Sequence, residues 1–403
     1  MRGPLNGVKV VDLSSVVSGP LATMFLADQG AEVLKVEPIT GDITRRSREK
    51  VDAAGEFSAL FISSNRGKKS IALNLKADAG REILMRVLAD ADVLVQNFRP
   101  GTMERLGLGA ETLRAQFPQL IYVSIDGVGE TGPYASKRVY DPIIQGISGF
   151  CDIQSNSATN RPQMTRTIVA DKTTAIFAAQ AVSAALFART KTGRGDHLRV
   201  SMLDVMLSFL WPEGMMQYTI VGREQAVGDP NARPDLVFET TNGFMTVGTI
   251  SDSEWQGFCR AVDDPELDLD ERFSTPSGRH VNATARINKM AEYLKTRSTE
   301  EWLDVLDRND VPCGPILRRG EVTQNVQIVA RQLIGEISQP TVGTIRQPKP
   351  AARFTEHEAA LTSGAPRLGE HGASTLKALG YSDEQIAAMV AAGAVALPTE
   401  TTN

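Results

Sequence analysis

Short apolar runs alternate with helical periodicity through the first 125 residues. GVKVVDL (7–13) is rich in β-branched residues, and LATMFLADQG behind it has helical spacing. Ser18 offers a cap, Pro20 suits a first turn and Gly30 suits a stop, so the segment reads as strand then helix. AEVLKVE (31–37) supplies the next strand and completes a βαβ unit. The alternation resumes with a helix over 79–91, a strand DVLVQNF (92–98), a helix around 110–116 and a strand LIYVSID (120–126). Strands this apolar, separated by helices, predict a parallel sheet covered on both faces, hence an α/β fold.

Beyond this region the periodicity changes. Residues 133–170 are strewn with Gly, Ser, Asn and Pro and read as a long ordered loop. Asp171 then opens an Ala-rich helix to about Thr190, followed by a turn at 192–195, a strand over 197–202 and a helix to about Tyr218. GREQAVGDPNARPD (223–236) reads as a linker. A second module begins at 237–250 with a hairpin signal at Thr241-Asn242-Gly243 and continues through helices around 252–262, 280–296 and 298–309. Residues 335–365, rich in proline and turn residues, read as a second crossing segment. Near the end, Ser382-Asp-Glu-Gln385 is a capping-box pattern ahead of a helix that Gly393 stops.

Composition narrows the function. The 403 residues carry 43 Lys and Arg against 48 Asp and Glu, a net charge of −5, which argues against a dedicated nucleic-acid binder. Cys151, Cys259 and Cys313 are scattered, with no CxxC pair, so neither a disulfide scaffold nor a structural zinc site is expected and a reducing compartment is. The four histidines, His197, His280, His357 and His371, show no HExxH spacing, and no metal is expected. The start of the chain lacks a signal-peptide pattern and no apolar run reaches 18 residues, so a soluble cytoplasmic protein is expected, without a membrane partner.

Four places look like chemistry. Gly127-Val-Gly129-Glu-Thr-Gly132 matches the dinucleotide fingerprint letter for letter, yet Pro133 follows where a helix should open, so a tight glycine turn is the better reading. Arg66-Gly67-Lys68-Lys69-Ser70 lacks the leading glycine of a phosphate-binding loop, since Ile62 stands there. With Lys76, its cations form either a solvated basic edge or a surface that meets phosphates. Asn97-Phe98-Arg99-Pro100-Gly101 stands at the carboxyl end of a strand, where open α/β sheets bind ligands, although the same residues also make ordinary turns. Asp171 at the head of its helix reads as an N-cap, and equally as an ionised carboxylate able to attack a thioester.

Taken together, these segments resemble class III coenzyme A transferases, the family of formyl-CoA transferase and carnitine CoA-transferase. The resemblance runs through residues 4–20, 30–37, 65–76, 94–107, 120–134, 139–141, Asp171 with its helix, 191–204 and 366–386. It implies a large Rossmann-like domain with a parallel sheet, built from residues 1–222 and completed by 335–403. A smaller α+β domain over 223–334 and an interlocked homodimer complete the expected architecture. It implies coenzyme A as co-substrate, an acyl-CoA donor and a carboxylic acid acceptor. An aspartate nucleophile maps onto Asp171, and an assisting acid onto Asp141. Coenzyme A contacts map onto Val16, Leu73, Lys76, Asn97, Phe98, Arg99, Arg105, Arg138 and Met202.

The departures bear on substrate. Val17 stands where formyl-CoA transferase has a glutamine, Pro38 where it has a CoA-binding arginine and Asp126 where it has a lysine. Residues 246–255 lack the glycine run of that enzyme's shielding loop. An acid larger or less polar than formate or oxalate is therefore expected. Two further readings remain. The racemase branch of the family uses a His–Asp pair, but Tyr140 holds the histidine's position here. A coenzyme A binder without turnover is the other.

Overall fold

The computed structural model describes residues 3–47, 51–52, 55–156, 159–223 and 235–398. Most of the linker expected at 223–236 lies outside the described residues. The chain divides into two units: Met1–Cys151 with Met164–Glu213 and Leu333–Asn403, and Asp152–Gln163 with Gly214–Gln332.

In the amino-terminal stretch come β1 (Lys9–Asp12), α1 (Ser18–Asp28), β2 (Glu32–Glu37), α2 (Ala59–Asn65), β3 (Lys68–Leu73), α3 (Asp78–Leu88) and β4 (Val93–Gln96). They are followed by α4 (Thr102–Arg105), α5 (Ala110–Gln116), β5 (Ile121–Asp126), α6 (Asp141–Ile147), α7 (Phe150–Ile153), α8 (Val169–Thr192), β6 (His197–Ser201) and α9 (Met202–Gly214). The loop expected over 133–170 thus contains two short helices, the first opened by Pro142 in its first turn. The helix expected to reach Tyr218 breaks at Pro212, whose backbone leaves helical geometry.

The second unit holds β7 (Phe238–Glu239), β8 (Phe244–Val247), α10 (Asp252–Val262), α11 (Pro265–Asp268), α12 (Pro276–Val281), α13 (Ala283–Leu294), α14 (Thr299–Arg308), β9 (Cys313–Pro315) and α15 (Val326–Ala330). The Thr241-Asn242-Gly243 turn does join an antiparallel pair. Trp255, Phe258, Phe273, Trp302 and Leu306 form this unit's own core. On the return to the first unit lie β10 (Ile334–Gln339), β11 (Gly343–Pro348), α16 (Gly372–Ala378), α17 (Asp383–Ala391) and β12 (Val395–Ala396). The expected crossing segment therefore contains an antiparallel hairpin. The capping box on Ser382 and Gln385 is present.

A sheet of seven strands among the described residues, in the order β12-β3-β2-β1-β4-β5-β6, organises the first unit. Its neighbours pair in parallel except β12, which runs antiparallel to β3. The order 3-2-1-4-5-6 is that of a doubly wound sheet, whose strand order reverses between β1 and β4. Alternate side chains go to opposite faces, as a strand's period of two requires. Val11, Ile71, Leu94 and Tyr122 pack with Ile83, Leu84, Leu113, Leu376 and Ile386 on one face. Val10, Val33, Val93, Val95, Ile121 and Val123 pack with Leu26, Ala175, Ala178 and Val182 on the other. The alanines of α8 let a 24-residue helix lie close to this face.

The cations near residue 68 divide in an unexpected way. The segment leads into β3, next to the edge strand β12, and two of its charges are buried rather than spread along a basic edge. Arg66 forks onto Asp28 at 2.9 and 2.7 Å. Lys68 Nζ reaches Asp12 Oδ2 at 2.9 Å, Asn65 Oδ1 at 2.8 Å and the Pro20 carbonyl at 2.7 Å. Neither side chain can face a phosphate, because each is saturated inside the fold. Lys69, on the next position of the same strand, is exposed beside Glu32 at 3.7 Å. Removing one partner of a buried, hydrogen-bonded ion pair strands the other, at about 3–5 kcal/mol, whereas an exposed pair is worth about 0–1 kcal/mol. Lys68→Ala is therefore expected to lower the urea midpoint of the first unit strongly and Lys69→Ala scarcely at all; equal midpoints for the two variants would contradict the burial argument.

Candidate active site

In a doubly wound sheet the loops leaving β1 and β4 part in opposite directions and leave a crevice at the carboxyl edge. Here those loops are tied across it. Asn97, just after β4, accepts the Ser15 N–H through Oδ1 at 2.9 Å and donates from Nδ2 to the Ser15 carbonyl at 2.7 Å. Asp12 at the end of β1 accepts the Ser14 N–H at 2.9 Å, the Ser14 hydroxyl and the Thr23 hydroxyl at 2.7 Å. Lys35 donates to the Ser14 carbonyl at 2.8 Å and pairs with Asp42 at 3.1 Å. Asp42 in turn accepts the Val16 N–H at 3.4 Å. Val16 sits at φ +70°, a left-handed conformation that a β-branched residue adopts only when its surroundings impose it. Gly19 is required next, since a Cβ there would lie 2.3 Å from that of Ser14.

The loop delivers Ser18 to Asp171. Ser18 does not cap α1, as the sequence suggested: Val17 holds that position and Ser18 is the first helical residue, buried. Its N–H and hydroxyl lie on the side of the Asp171 carboxylate and favour its charge. Asp171 is not an N-cap either, because α8 starts two residues earlier and Ile168 stands at the cap. The carboxylate lies in the first turn, half-buried, where the helix dipole favours its ionised form. From the other side comes Asp141, buried at the start of α6, which accepts the Asp171 N–H on Oδ2 at 3.1 Å. Gln145 donates to Asp141 Oδ1 at 2.6 Å and accepts the Thr165 N–H at 3.0 Å, tying α6 to the approach of α8.

Burial, then the negative charge of Asp141, push the Asp171 carboxyl up to about 6, while the two Ser18 donors pull it down. A carboxylate with raised basicity, ionised at neutral pH and open on one side, is suited to attack an acyl carbon.

The other expected residues fall at the carboxyl edge of the same sheet. Leu73 ends β3 with its side chain in the core, so only its backbone can meet a ligand. Lys76 is exposed in the turn beyond, with its N–H on Asn74 Oδ1 at 3.1 Å. Phe98 is half-buried after β4, Arg99 is exposed beside it, and the exposed Arg105 donates to Thr102 at 3.0 Å. Arg138 is exposed ahead of α6, and Met202 is buried at the start of α9. The sequence had no signal for Ser18, Ser15 or Gln145, whose parts depend on contacts across the sheet. The Gly127–Gly132 motif is a turn, with Gly129 and Gly132 at positive φ and the next helix only at Asp141. Gly127 is fixed by packing, since a Cβ would lie 1.9 Å from Val139 Cγ2. His197 packs edge-on to Tyr122 and meets the Ser124 hydroxyl at 2.9 Å, the setting of an interior histidine. Among the described residues no cluster of three or more His, Cys, Asp or Glu is arranged for a metal, and no helix is long and apolar enough to cross a membrane.

Comparison with known proteins gives the chain a family. The chain is 34% identical to human succinyl-CoA:glutarate CoA-transferase over 400 residues, covering 97% of this chain and 90% of that one. It is 35% identical over 381 residues to acetyl-CoA:oxalate CoA-transferase of Acetobacter aceti, covering 93% and 96%. The crystal structure of a CaiB/BaiF family protein from Brucella suis superposes with a TM-score of 0.81 at 33% identity, over 94% of this chain and 100% of that chain. The model of the family described as CoA-transferase family III matches residues 5–372, which include every residue of the site. The chain therefore belongs to CoA-transferase family III and is an enzyme of that class.

Proposed function

We propose that this enzyme moves coenzyme A from an acyl-CoA thioester to a free carboxylic acid, with Asp171 as the nucleophile. The observation that carries the reading is the half-buried Asp171 carboxylate, its N–H fixed on buried Asp141, at the carboxyl edge of the sheet. An Asp171 oxygen attacks the donor's thioester carbon and expels the thiolate, leaving a mixed anhydride. The thiolate adds to the aspartyl carbonyl and releases the donor acid, so that Asp171 carries the CoA as a thioester. The acceptor carboxylate displaces the thiolate from Asp171, again as an anhydride. Attack of the thiolate on the acceptor's acyl carbon then frees Asp171 and yields the new acyl-CoA. Each step exchanges one acyl bond for another, which is what a covalent nucleophile makes accessible.

The chain's own residues fit a CoA thioester at this edge. Lys76, Arg99, Arg105 and Arg138 are exposed cations suited to phosphates, and Phe98 offers an aromatic face. Val16, Asn97, Met202 and the Leu73 backbone lie nearer the strand ends, and Asp141 orients Asp171 through its N–H. A carboxylic acid larger than formate or oxalate is the proposed acceptor, given Val17, Pro38 and Asp126. A homodimer is proposed from exposed apolar side chains in the first unit, among them Ile143, Ile147, Ile176, Phe187, Phe209 and Trp211. Three free thiols support a reducing, cytoplasmic setting.

Asp171→Ala is expected to abolish exchange and the hydroxylamine-sensitive covalent intermediate; substantial turnover in that variant refutes the nucleophile. Mass spectrometry of CoA products, with succinyl-CoA or acetyl-CoA offered against mixed carboxylic acids, identifies the pair. Because only the ionised carboxylate can attack, kcat/KM should fall as pH drops through about 6 and level off above it. A profile flat down to pH 4.5 would remove Asp171 from the first step. A 2-methylacyl-CoA kept in D₂O without acceptor should keep its α-hydrogen, and rapid deuteration would favour the racemase chemistry instead.

A further inference from the structure

Gln145 is an uncharged but polar side chain buried in α6, four residues beyond Asp141. Residues four apart share one face of a helix, so its amide reaches the Asp141 carboxylate, and Nε2 donates to Asp141 Oδ1 at 2.6 Å. Oε1 accepts the Thr165 N–H at 3.0 Å, and Nε2 also reaches the Thr167 carbonyl at 3.3 Å. These partners force the orientation of the amide, since a carboxylate and a carbonyl only accept and an N–H only donates. The Thr167 carbonyl also accepts the Val169 N–H at 2.9 Å, at the first residue of α8. The other Asp141 oxygen, Oδ2, accepts the Asp171 N–H at 3.1 Å. One amide is therefore anchored on the backbone leading into α8 and grips the carboxylate that holds Asp171.

We infer that Gln145 is a positioning residue for the transfer reaction: braced on Thr165 and Thr167, it fixes the Asp141 carboxylate and, through Asp141, the Asp171 backbone. The inference rests on the reading of Asp171 as nucleophile. Asp141 is 2% exposed, and a buried carboxylate left with a single N–H at 3.1 Å turns to any donor or water within reach. With Gln145 on Oδ1, Oδ2 stays aimed at the Asp171 N–H. Without it, that N–H loses its fixed acceptor and the first turn of α8 is free to shift. The Asp171 carboxylate then moves relative to a bound thioester. Attack needs the reacting atoms held near contact distance, so such a shift costs rate rather than affinity. Gln145 is itself 2% exposed, so it acts through Asp141 and not on the substrate. A glutamine that only filled the core would weaken folding and leave kcat alone.

The test measures kcat, thermal midpoint and coenzyme A affinity for Gln145→Leu, Asp141→Ala and the double variant. It uses the full chain, the donor–acceptor pair found by product mass spectrometry, and a temperature at which circular dichroism shows every variant folded. Gln145→Leu should lose about 10- to 100-fold in kcat, the scale of a small misplacement of a reacting group. The Kd of free coenzyme A, read by titration calorimetry, should stay within about twofold, because no bond to the ligand is lost. The double variant should lose within about threefold of what Asp141→Ala loses alone, since the second change removes a link already broken. If Gln145→Leu does not fold, Gln145→Met, unbranched and of similar length, gives the same reading. Losses that multiply in the double variant overturn the inference, and so does a lowered midpoint with kcat preserved. Asp171→Ala separates the two levels: residual exchange in that variant discards the nucleophile, whatever the Gln145 variants do.

Discussion

The site depends on a short loop that no regular structure holds. Between the end of β1 and the start of α1, the Ser14 and Ser15 N–H and carbonyl groups and the Val16 N–H are all taken by side chains from elsewhere. Asp12, Lys35, Asp42 and Asn97 do this, and three of the four are buried charges. Charges are costly in an interior, and packed apolar residues of like volume would often serve stability as well or better. What they give here is a fixed path for a backbone that would otherwise relax. Burial alone would push Asp12 up, but Lys68, Lys35 and the Ser14 hydroxyl hold it well below the usual carboxylate range. It therefore remains an acceptor at any pH the enzyme meets.

Asp171 is placed between opposing demands. Burial and Asp141 oppose its charge; Ser18 and the start of a 24-residue helix support it. The balance leaves a carboxylate that is ionised at neutral pH without being deeply stabilised. A fully stabilised carboxylate, forked by an arginine as Glu37 is by Arg45, would be a poor nucleophile. The two acids contrast within one unit, and the difference lies in their partners rather than in the residue type.

Much of the sheet was legible because its strands alternate with amphipathic helices and each strand is apolar on both faces. β1, β2, β4 and β5 fell inside such runs, and β6 followed a legible turn at 192–195. β3 did not, because Lys68 and Ser70 look like surface until Asp12, Glu37 and Asn65 are seen around them. β12 has only two residues and carries no periodicity. At the site, Asp171 and the Asn97 turn could be located along the chain, but not the partners of either. Ser18 read as a cap because its sequence neighbours fit a cap, and the partner that claims it lies on a distant helix. Family resemblance supplied positions; contacts across the crevice could come only from the fold.

The antiparallel seam between β12 and β3 has a consequence for how the protein is made. Val395 and Ala396 pair with Leu73 and Ala72, so a strand made long after β3 covers the margin of β3. Until then β3 offers an open margin, the kind through which nascent chains add to one another. The intervening second unit, with its own core, can fold during that interval. The nascent enzyme therefore passes through a stage in which one unit is finished while the other still waits for β12.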